Sequence, residues 1–345
     1  MKAVRRAVLL LLILALTLSS LVSCGESYKL RKSSDREAAT VLTLGEHEVP
    51  FEVLYTFFRN QCDLVGDVNA DYFAGSEGEA RFSAMRDAAV RNIAGIYAFF
   101  AECREVGIDP YGEEIEEGIL EYLKLNVEGG TFGEYEVEGF ESYDKYLEYV
   151  KEAFHMTDSV NRLMIRYALC EEALVEYYRM QYQYTDEDVE AFFESEDCIR
   201  VLWVVRNGYG LSAAENRERI AKARNYLLSG DHNRAVTLST SPNSDFYMGR
   251  YTKDTAFYEE LIEVAYDLRE GEVSDILDLG AEGLFVVKRL PKDEAHLDSQ
   301  QGEITAVYLA EEMYRAVEER AAALLADITY TEGYTALTVS DFIAS

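Results

Sequence analysis

The chain has 345 residues and a formal net charge of −31, from 33 basic and 64 acidic side chains. Such a surface repels nucleic acid and anionic lipid headgroups, and it favours cationic partners. A hydrophobic fraction of 48% and an aromatic fraction of 12% exclude a disordered acidic tail and predict a folded chain of about two domains.

An export signal is predicted over residues 1–23. Basic side chains precede an apolar run over residues 7–18, which is shorter than the roughly 20 residues a membrane span needs. Leu-Val-Ser-Cys then ends at Cys24 and resembles a bacterial lipobox. The resemblance implies that Cys24 is lipidated and anchors an extracytoplasmic protein to the cell membrane. The alternatives are an ordinary cleaved signal and an uncleaved anchor.

Residues 24–40 are polar and of mixed charge. They contain too little apolar surface to fold alone, so we predict a flexible tether. Removal of residues 1–23, which hold three basic and no acidic side chains, leaves a formal charge of −34.

Residues 41–194 form a mostly helical region. A short strand at 41–44 and a turn at Gly45 precede a helix with apolar residues at three- and four-residue spacing. Thr185 and Asp188 have the spacing of a capping box, which predicts the start of the last helix. Loops are predicted at 69–79 and 128–140. The other helices are predicted over 80–105, 113–127, 142–150 and 158–180.

Aromatic residues follow the apolar stripes of these helices, and the chain contains 25 tyrosines. Rings at helical spacing are typical of an ordinary core. They are also suited to a groove for unfolded segments, because tyrosine combines apolar area with a polar tip. Both interpretations stay open.

Residues 195–292 change the pattern. A strand at 199–205 and a helix at 213–229 lead to a turn-rich link at 239–251. A helix at 256–268 and a strand at 283–290 follow. Asp267-Leu-Arg-Glu-Gly-Glu-Val-Ser274 lies between these last two elements.

This order, and the Asp267–Ser274 motif in particular, resembles a parvulin-type peptidyl-prolyl isomerase domain. The chain as a whole resembles the PrsA/SurA group of secretory foldases. The resemblance implies an α+β, mostly helical fold: a SurA-N/trigger-factor-like helical chaperone domain at 41–194 with an inserted parvulin-like domain, βααβ-type with a small antiparallel sheet, at 195–292. It also implies that a carboxy-terminal helix and tail at 293–345 return to the helical domain.

A parvulin site holds proline in an apolar slot flanked by two histidines. Its positions fall on Leu202, Phe257, Leu261 and Phe285 in this sequence, so both imidazoles are absent. We therefore predict weak or absent isomerase activity and assign no catalytic residue. An active isomerase of the same fold is the alternative.

Other chemistry finds little support. The four histidines lack metal-ligand spacing, and no metal or other cofactor is predicted. Paired glutamates lie on predicted helix surfaces, where solvated faces are the rule. The five cysteines impose no disulfide pairing.

The sequence thus predicts a membrane-anchored foldase or chaperone that binds unfolded, newly exported polypeptides and no nucleic acid. A solute-binding lipoprotein is a further alternative, which requires alternating strands and helices and a parallel sheet.

Overall fold

Two compact units make up the chain. The computed structural model describes residues 28–66, 68–132, 135–207, 211–241, 244–251, 259–280 and 283–343. The first unit combines the residues up to Tyr177 with Ala316–Ser345, and the second comprises Tyr178–Arg315. Helices make up 60% of the described residues, and the described strands pair only in small antiparallel sheets. The predicted α+β, mostly helical fold is confirmed, and the parallel sheet of a solute-binding protein is not found among the described residues.

The helices of both units are numbered in chain order. They are α1 (Phe51–Val65), α2 (Gly75–Glu105), α3 (Glu113–Glu128), α4 (Tyr143–Phe154), α5 (Asp158–Met180), α6 (Asp186–Glu194), α7 (Ala213–Leu228), α8 (His232–Val236), α9 (Glu259–Asp267), α10 (Ala295–Ser299), α11 (Gln301–Ala326), α12 (Glu332–Thr335) and α13 (Val339–Phe342).

The strands are numbered in the same way. They are β1 (Thr40–Leu44), β2 (His47–Pro50), β3 (Gly130–Phe132), β4 (Tyr135–Val137), β5 (Cys198–Arg206), β6 (Asp245–Gly249), β7 (Leu277–Asp278), β8 (Leu284–Leu290) and β9 (Ile328–Tyr330).

The sheet of the first unit joins the two ends of the chain. Its strand order is β2-β1-β9, with β1 in the centre. A two-residue turn links β1 to β2, and Gly45 adopts φ 57 there, as predicted for a glycine turn. Leu42 of β1 faces Tyr330 of β9. The carboxy-terminal segment therefore belongs to the same unit as the first strand.

Phenylalanines from distant parts of the chain form the centre of the first unit. The Phe58 and Phe342 ring centroids lie 4.3 Å apart, and Phe82 lies 5.4 Å from Phe58. Phe342 belongs to α13. The tail consists of the strand β9 and two short helices, whose N-cap residues are Thr331 and Thr338.

The polar segment at 28–39 is fixed to the first unit through hydrogen bonds. Tyr28 is buried, and the Arg31 N–H donates to the carboxylate of Asp158 at 2.7 Å. The Ser33 hydroxyl donates to the carboxylate of Glu52 at 2.6 Å. The same carboxylate accepts from the hydroxyls of Thr157 and Ser159, each at 2.6 Å. This part of the predicted flexible tether therefore packs on the unit, because buried carboxylates of α1 and α5 accept its donors.

The second unit contains a four-stranded antiparallel sheet with the order β6-β5-β8-β7. β5 and β8 form its centre, and Trp203 faces Val287 in their register. The order of elements is strand, helices, strand, helix and two strands. β6 lies within the segment 239–251, which had been interpreted as a turn-rich link. Glycine and hydroxyl residues around this short strand hide its apolar alternation.

Two helices extend the second unit beyond the predicted limits of 195 and 292. Phe192 and Phe193 of α6 pack in one apolar cluster with Ile304 and Tyr308 of α11. Cys198 and Tyr247 of the sheet belong to the same cluster. The compact unit therefore begins at Tyr178 and ends at Arg315.

Candidate functional site

The sheet of the second unit has two apolar faces, because alternate residues of a strand point to opposite sides. On one face, Val201, Trp203 and Phe285 pack with Leu261 of α9. Trp203 is central there: its ring centroid lies 5.0 Å from that of Phe246 and 6.0 Å from that of Phe285. We call the face formed by Val201, Trp203, Phe246, Leu261 and Phe285 the aromatic face.

Leu202 lies on the opposite face. It packs with Ile220 and Leu227 of α7. The structure thus brings Phe285 and Leu261 together, as predicted, but places Leu202 on the other side of the sheet from them. Trp203 occupies the position beside Phe285. A shift of one residue in a strand reverses the face, and β5 presents its odd-numbered residues to the face that contains Phe285.

Phe257 lies outside the described residues, as does Cys24 with the predicted signal at 1–23. These assignments stay predictions. The structure adds Phe246 and Met248, two residues of the unpredicted strand β6 that pack on the aromatic face. An alternation of Phe246 and Met248 was the available signal for this strand.

Backbone hydrogen bonds hold the Asp267–Ser274 motif against β8, at one edge of the aromatic face. The Gly271 N–H donates to the Arg289 carbonyl at 2.8 Å, and the Arg289 N–H donates to the Glu272 backbone carbonyl at 3.1 Å. Gly271 adopts φ 84, which favours glycine. The motif therefore continues the ladder beside β8, and this explains its glycine.

Ser274 completes this edge. Its N–H donates to the Val287 carbonyl at 2.8 Å, and its hydroxyl accepts from the Val287 N–H at 3.0 Å and donates to the Asp275 carbonyl at 2.7 Å. A cleft of about 370 Å³ opens between α9 and this segment, lined by residues that include Val264, Leu268 and Leu277. The edge of the aromatic face thus offers an apolar recess with a fixed backbone wall.

No imidazole belongs to either central strand of this sheet. His232 begins α8, which packs on the opposite face through Ala235. Burial lowers the pKa of His232, and its Nε2 atom is buried without a hydrogen-bond partner. His296 lies elsewhere, with Nδ1 2.9 Å from the Tyr247 hydroxyl. Val201, Leu261 and Phe285 of the aromatic face are buried, so Phe246 and the adjoining recess are its accessible parts, and its described residues supply no histidine for catalysis.

Metal and membrane features complete the description of the chain. Within the described ranges, no three His, Cys, Asp or Glu side chains come together as a potential metal site. Across the same residues, no helix combines the length and apolarity needed to cross a bilayer.

Comparisons with known proteins give likeness in structure only. No protein-family model and no curated protein matches the chain. PrsA from Bacillus subtilis is similar, with 15% identity and a TM-score of 0.26, over 72% of this chain and 88% of that one. The foldase protein PrsA from Streptococcus pneumoniae has 17% identity and a TM-score of 0.27, over 71% and 86%.

A third similar structure is the peptidylprolyl isomerase PrsA from Bacillus anthracis, with 13% identity and a TM-score of 0.28, over 70% of this chain and 99% of that one. The chain's own elements give the mostly helical fold with small antiparallel sheets that was predicted from the sequence. A helical unit formed from both ends of the chain contains, in sequence, a small antiparallel sheet with its helices.

Proposed function

We propose that the chain is a foldase or holdase that binds extended segments of exported polypeptides and does not catalyse the isomerisation of prolyl peptide bonds. The observation that supports this proposal best is the composition of the aromatic face. Trp203 and Phe285 lie there on the two central strands, and neither of these strands contains a histidine. Burial of apolar client side chains supplies about 25 cal/mol per Å² without any chemistry.

Catalysis of prolyl rotation has a clear requirement. The uncatalysed barrier is about 18–20 kcal/mol, and lowering it requires groups that stabilise the twisted amide more than the planar one. An indole and a phenyl ring bind an apolar segment equally well whether its prolyl amide is planar or twisted. The proposal therefore assigns client binding to Phe246 and the recess beside α9, supported from below by Trp203 and Phe285, and it assigns no catalysis of prolyl isomerisation.

Location and organisation are part of the same proposal. Lipidated Cys24 anchors the chain on the outer side of the cell membrane, and its clients are polypeptides that have just been exported. The helical domain at 41–194, the parvulin-like domain at 195–292 and the returning segment at 293–345 are the proposed functional domains.

Suppression of aggregation tests the proposal. A chemically denatured client is diluted into buffer with the wild-type chain, with Phe246→Ser or with Tyr226→Ser. Phe246 is partly buried on the aromatic face, whereas Tyr226 is partly buried on the opposite face, which makes it a matched control. Light scattering should fall with the wild type and Tyr226→Ser, and several-fold less with Phe246→Ser. Equal loss in both variants contradicts the aromatic face as the binding site, and no suppression by the wild type contradicts the function.

A further inference from the structure

A second concave site lies within the second unit, away from the aromatic face. It is a cleft of about 480 Å³ between α6, the segment after it and the first half of α11. This volume lies in the range of small-ligand sites, roughly 300–1,000 Å³. Its described lining includes three aromatic rings, four carboxylates and one guanidinium.

Most of the charges in this cleft already have partners. The guanidinium of Arg315 pairs with Glu312, and Glu312 also accepts a hydrogen bond from the Tyr182 hydroxyl at 3.1 Å. Asp197 pairs with Arg250 at 3.8 Å. Glu311 and Asp188 have no ion pair with a cation among the described residues, but Asp188 is exposed and accepts from the Thr185 N–H and hydroxyl.

Glu311 is also the most deeply buried of these carboxylates, with 3% of its surface exposed. It accepts backbone hydrogen bonds from the Tyr251 N–H, at 2.7 Å, and from Arg250. A buried carboxylate without a counter-charge is costly, and a glutamine would accept the same hydrogen bond at a lower cost. Burial accordingly raises the pKa of Glu311 to about 7. The charge is therefore not explained by ion pairing with the residues that the structure describes.

Aromatic rings form the rest of the wall. The Phe192 and Tyr308 ring centroids lie 5.6 Å apart, and Tyr182 also lines the cleft. The face of an aromatic ring attracts ammonium and guanidinium groups, and the effect increases when water is excluded. A buried carboxylate beside such rings is suited to a long side chain with a positive end, whose stem packs on the rings.

We propose that this cleft binds a lysine or arginine side chain of an extended polypeptide, with Glu311 as its counter-charge and Tyr182, Phe192 and Tyr308 as its walls. The inference rests on the proposed function, because the occupant is a segment of a client. It adds a specificity: of the exported segments that meet the aromatic face, those with a basic residue nearby bind more tightly. The strongly acidic surface of the whole chain favours the same clients.

Matched peptides test the cleft. Two labelled unfolded peptides differ only in one residue, arginine in one and citrulline, its neutral isostere, in the other. Fluorescence anisotropy with the folded wild-type chain should give at least tenfold tighter binding of the arginine peptide. Glu311→Gln should reduce this ratio to below about threefold, and Glu303→Gln, an exposed glutamate of the same helix, should leave it unchanged.

The design separates a local effect from general attraction. A simple response to net charge would change the ratio equally in the Glu311 and Glu303 variants, and this result overturns the inference. Equal binding of both peptides by the wild type overturns it as well, while aggregation suppression in the same preparation keeps the proposed function. If the wild type binds neither peptide and suppresses no aggregation, the proposed function and the inference both fail.

Folding of the variant is verified independently. Glu311→Gln keeps the acceptor for the Tyr251 N–H and removes a buried charge, so its thermal midpoint at pH 8 should equal or exceed that of the wild type. Tyr308→Leu provides a second variant, which should weaken arginine binding by removing a ring and leave citrulline binding within about twofold.

Discussion

Trp203 and Phe285 lie on adjacent strands of the second unit, with ring centroids 6.0 Å apart. Their registered neighbours are Val287 and Val205, so apolar side chains surround the pair along both strands. The pair has no titratable group. Its contribution to any ligand is apolar area and ring contacts, and this determines the first prediction.

The wild-type chain should not accelerate prolyl isomerisation. In a protease-coupled assay with a proline peptide, the rate should equal the uncatalysed rate within about twofold, because indole and phenyl groups do not favour the twisted amide. A parvulin that has both histidines serves as the positive control. Turnover comparable to that control would contradict the assignment of Trp203 to the site.

Trp203 is the only tryptophan of the chain, so its fluorescence reports on the aromatic face alone. It is 7% exposed, and a bound segment should change its emission further. Titration with an unfolded apolar peptide should shift or quench this emission in the wild type and Tyr226→Ser, and much less in Phe246→Ser. An unchanged spectrum at saturation of an independent binding signal would place the client elsewhere.

Asp158 should be important for the stability of the first unit. It is buried, accepts from the Tyr143 hydroxyl at 2.6 Å and from Arg162 Nε at 2.9 Å, and holds the Arg31 N–H. Asp158→Ala leaves Arg162 without its buried partner and should lower the free energy of unfolding by about 3–5 kcal/mol. Urea denaturation followed by circular dichroism measures this.

Asp144→Ala is the matched control for that experiment. Asp144 pairs with Arg31 at 3.0 Å, but 71% of its side chain is exposed. An exposed pair contributes roughly 0–1 kcal/mol, so this variant should remain near the wild type. Equal destabilisation by both substitutions would show that the buried position of Asp158 does not matter.

Stability should depend on pH through Glu311. Its pKa is raised from 4.5 to about 7, chiefly through burial, with Asp197 also raising it and Arg315 lowering it. Between these two values the folded chain holds a proton that the unfolded chain has lost. The free energy of unfolding therefore falls as pH rises from about 4.5 to 7, by about 1 kcal/mol per pH unit, and is level above 7.

Glu311→Gln isolates this effect. The difference in unfolding free energy between the variant and the wild type should be near zero at pH 4.5 and should grow to about 1–3 kcal/mol in favour of the variant at pH 8. Burial also raises the pKa of Glu172 to about 7, but that group is present in both proteins and its effect cancels. A difference that does not change with pH would contradict the buried charge.

The four described cysteines should resist labelling in the folded chain. Cys62, Cys103, Cys170 and Cys198 are all free and buried. Burial raises the pKa of the Cys62 thiol to about 11 and that of Cys198 to about 12, so both are neutral at pH 8. In a chain that starts after Cys24, a thiol reagent should label none of them within minutes at pH 8.

The same chain in urea provides the control, and mass spectrometry should then find four labels. Fast labelling of one cysteine without denaturant would mean that its segment opens locally. A missing label in urea without reductant would indicate a disulfide.

Much of the helical fold could be predicted from the sequence because the apolar spacing in α3 and α5 is regular. The capping box of Thr185 and Asp188 was also readable, and it is present. The predicted loop at 69–79 was too long, since α2 begins at Gly75. Gly78 and the acidic residues around it conceal the first turns of this helix, where Gly78 lies against the Phe73 backbone and Arg81 pairs with Glu77.

The candidate site was harder to predict. β5 is buried on both faces, so its apolar residues do not alternate with polar ones. The sequence therefore could not predict which side of the sheet Leu202 and Trp203 face. The environment of Glu311 was not readable either, because Glu311 and Glu312 are adjacent on a helix and differ only in what covers them. Tyr251, which donates to Glu311, comes from a segment 60 residues away.

The hydrogen bonds that fix residues 28–39 set a geometric limit on the proposed anchor. Four peptide units separate Cys24 from the buried Tyr28, and a fully extended chain spans at most about 14 Å over that interval. With Cys24 lipidated, this connection would be shorter than half the thickness of a bilayer. The first unit would then lie close to the lipid headgroups. For the proposed function, such an anchor would place client binding close to the membrane surface.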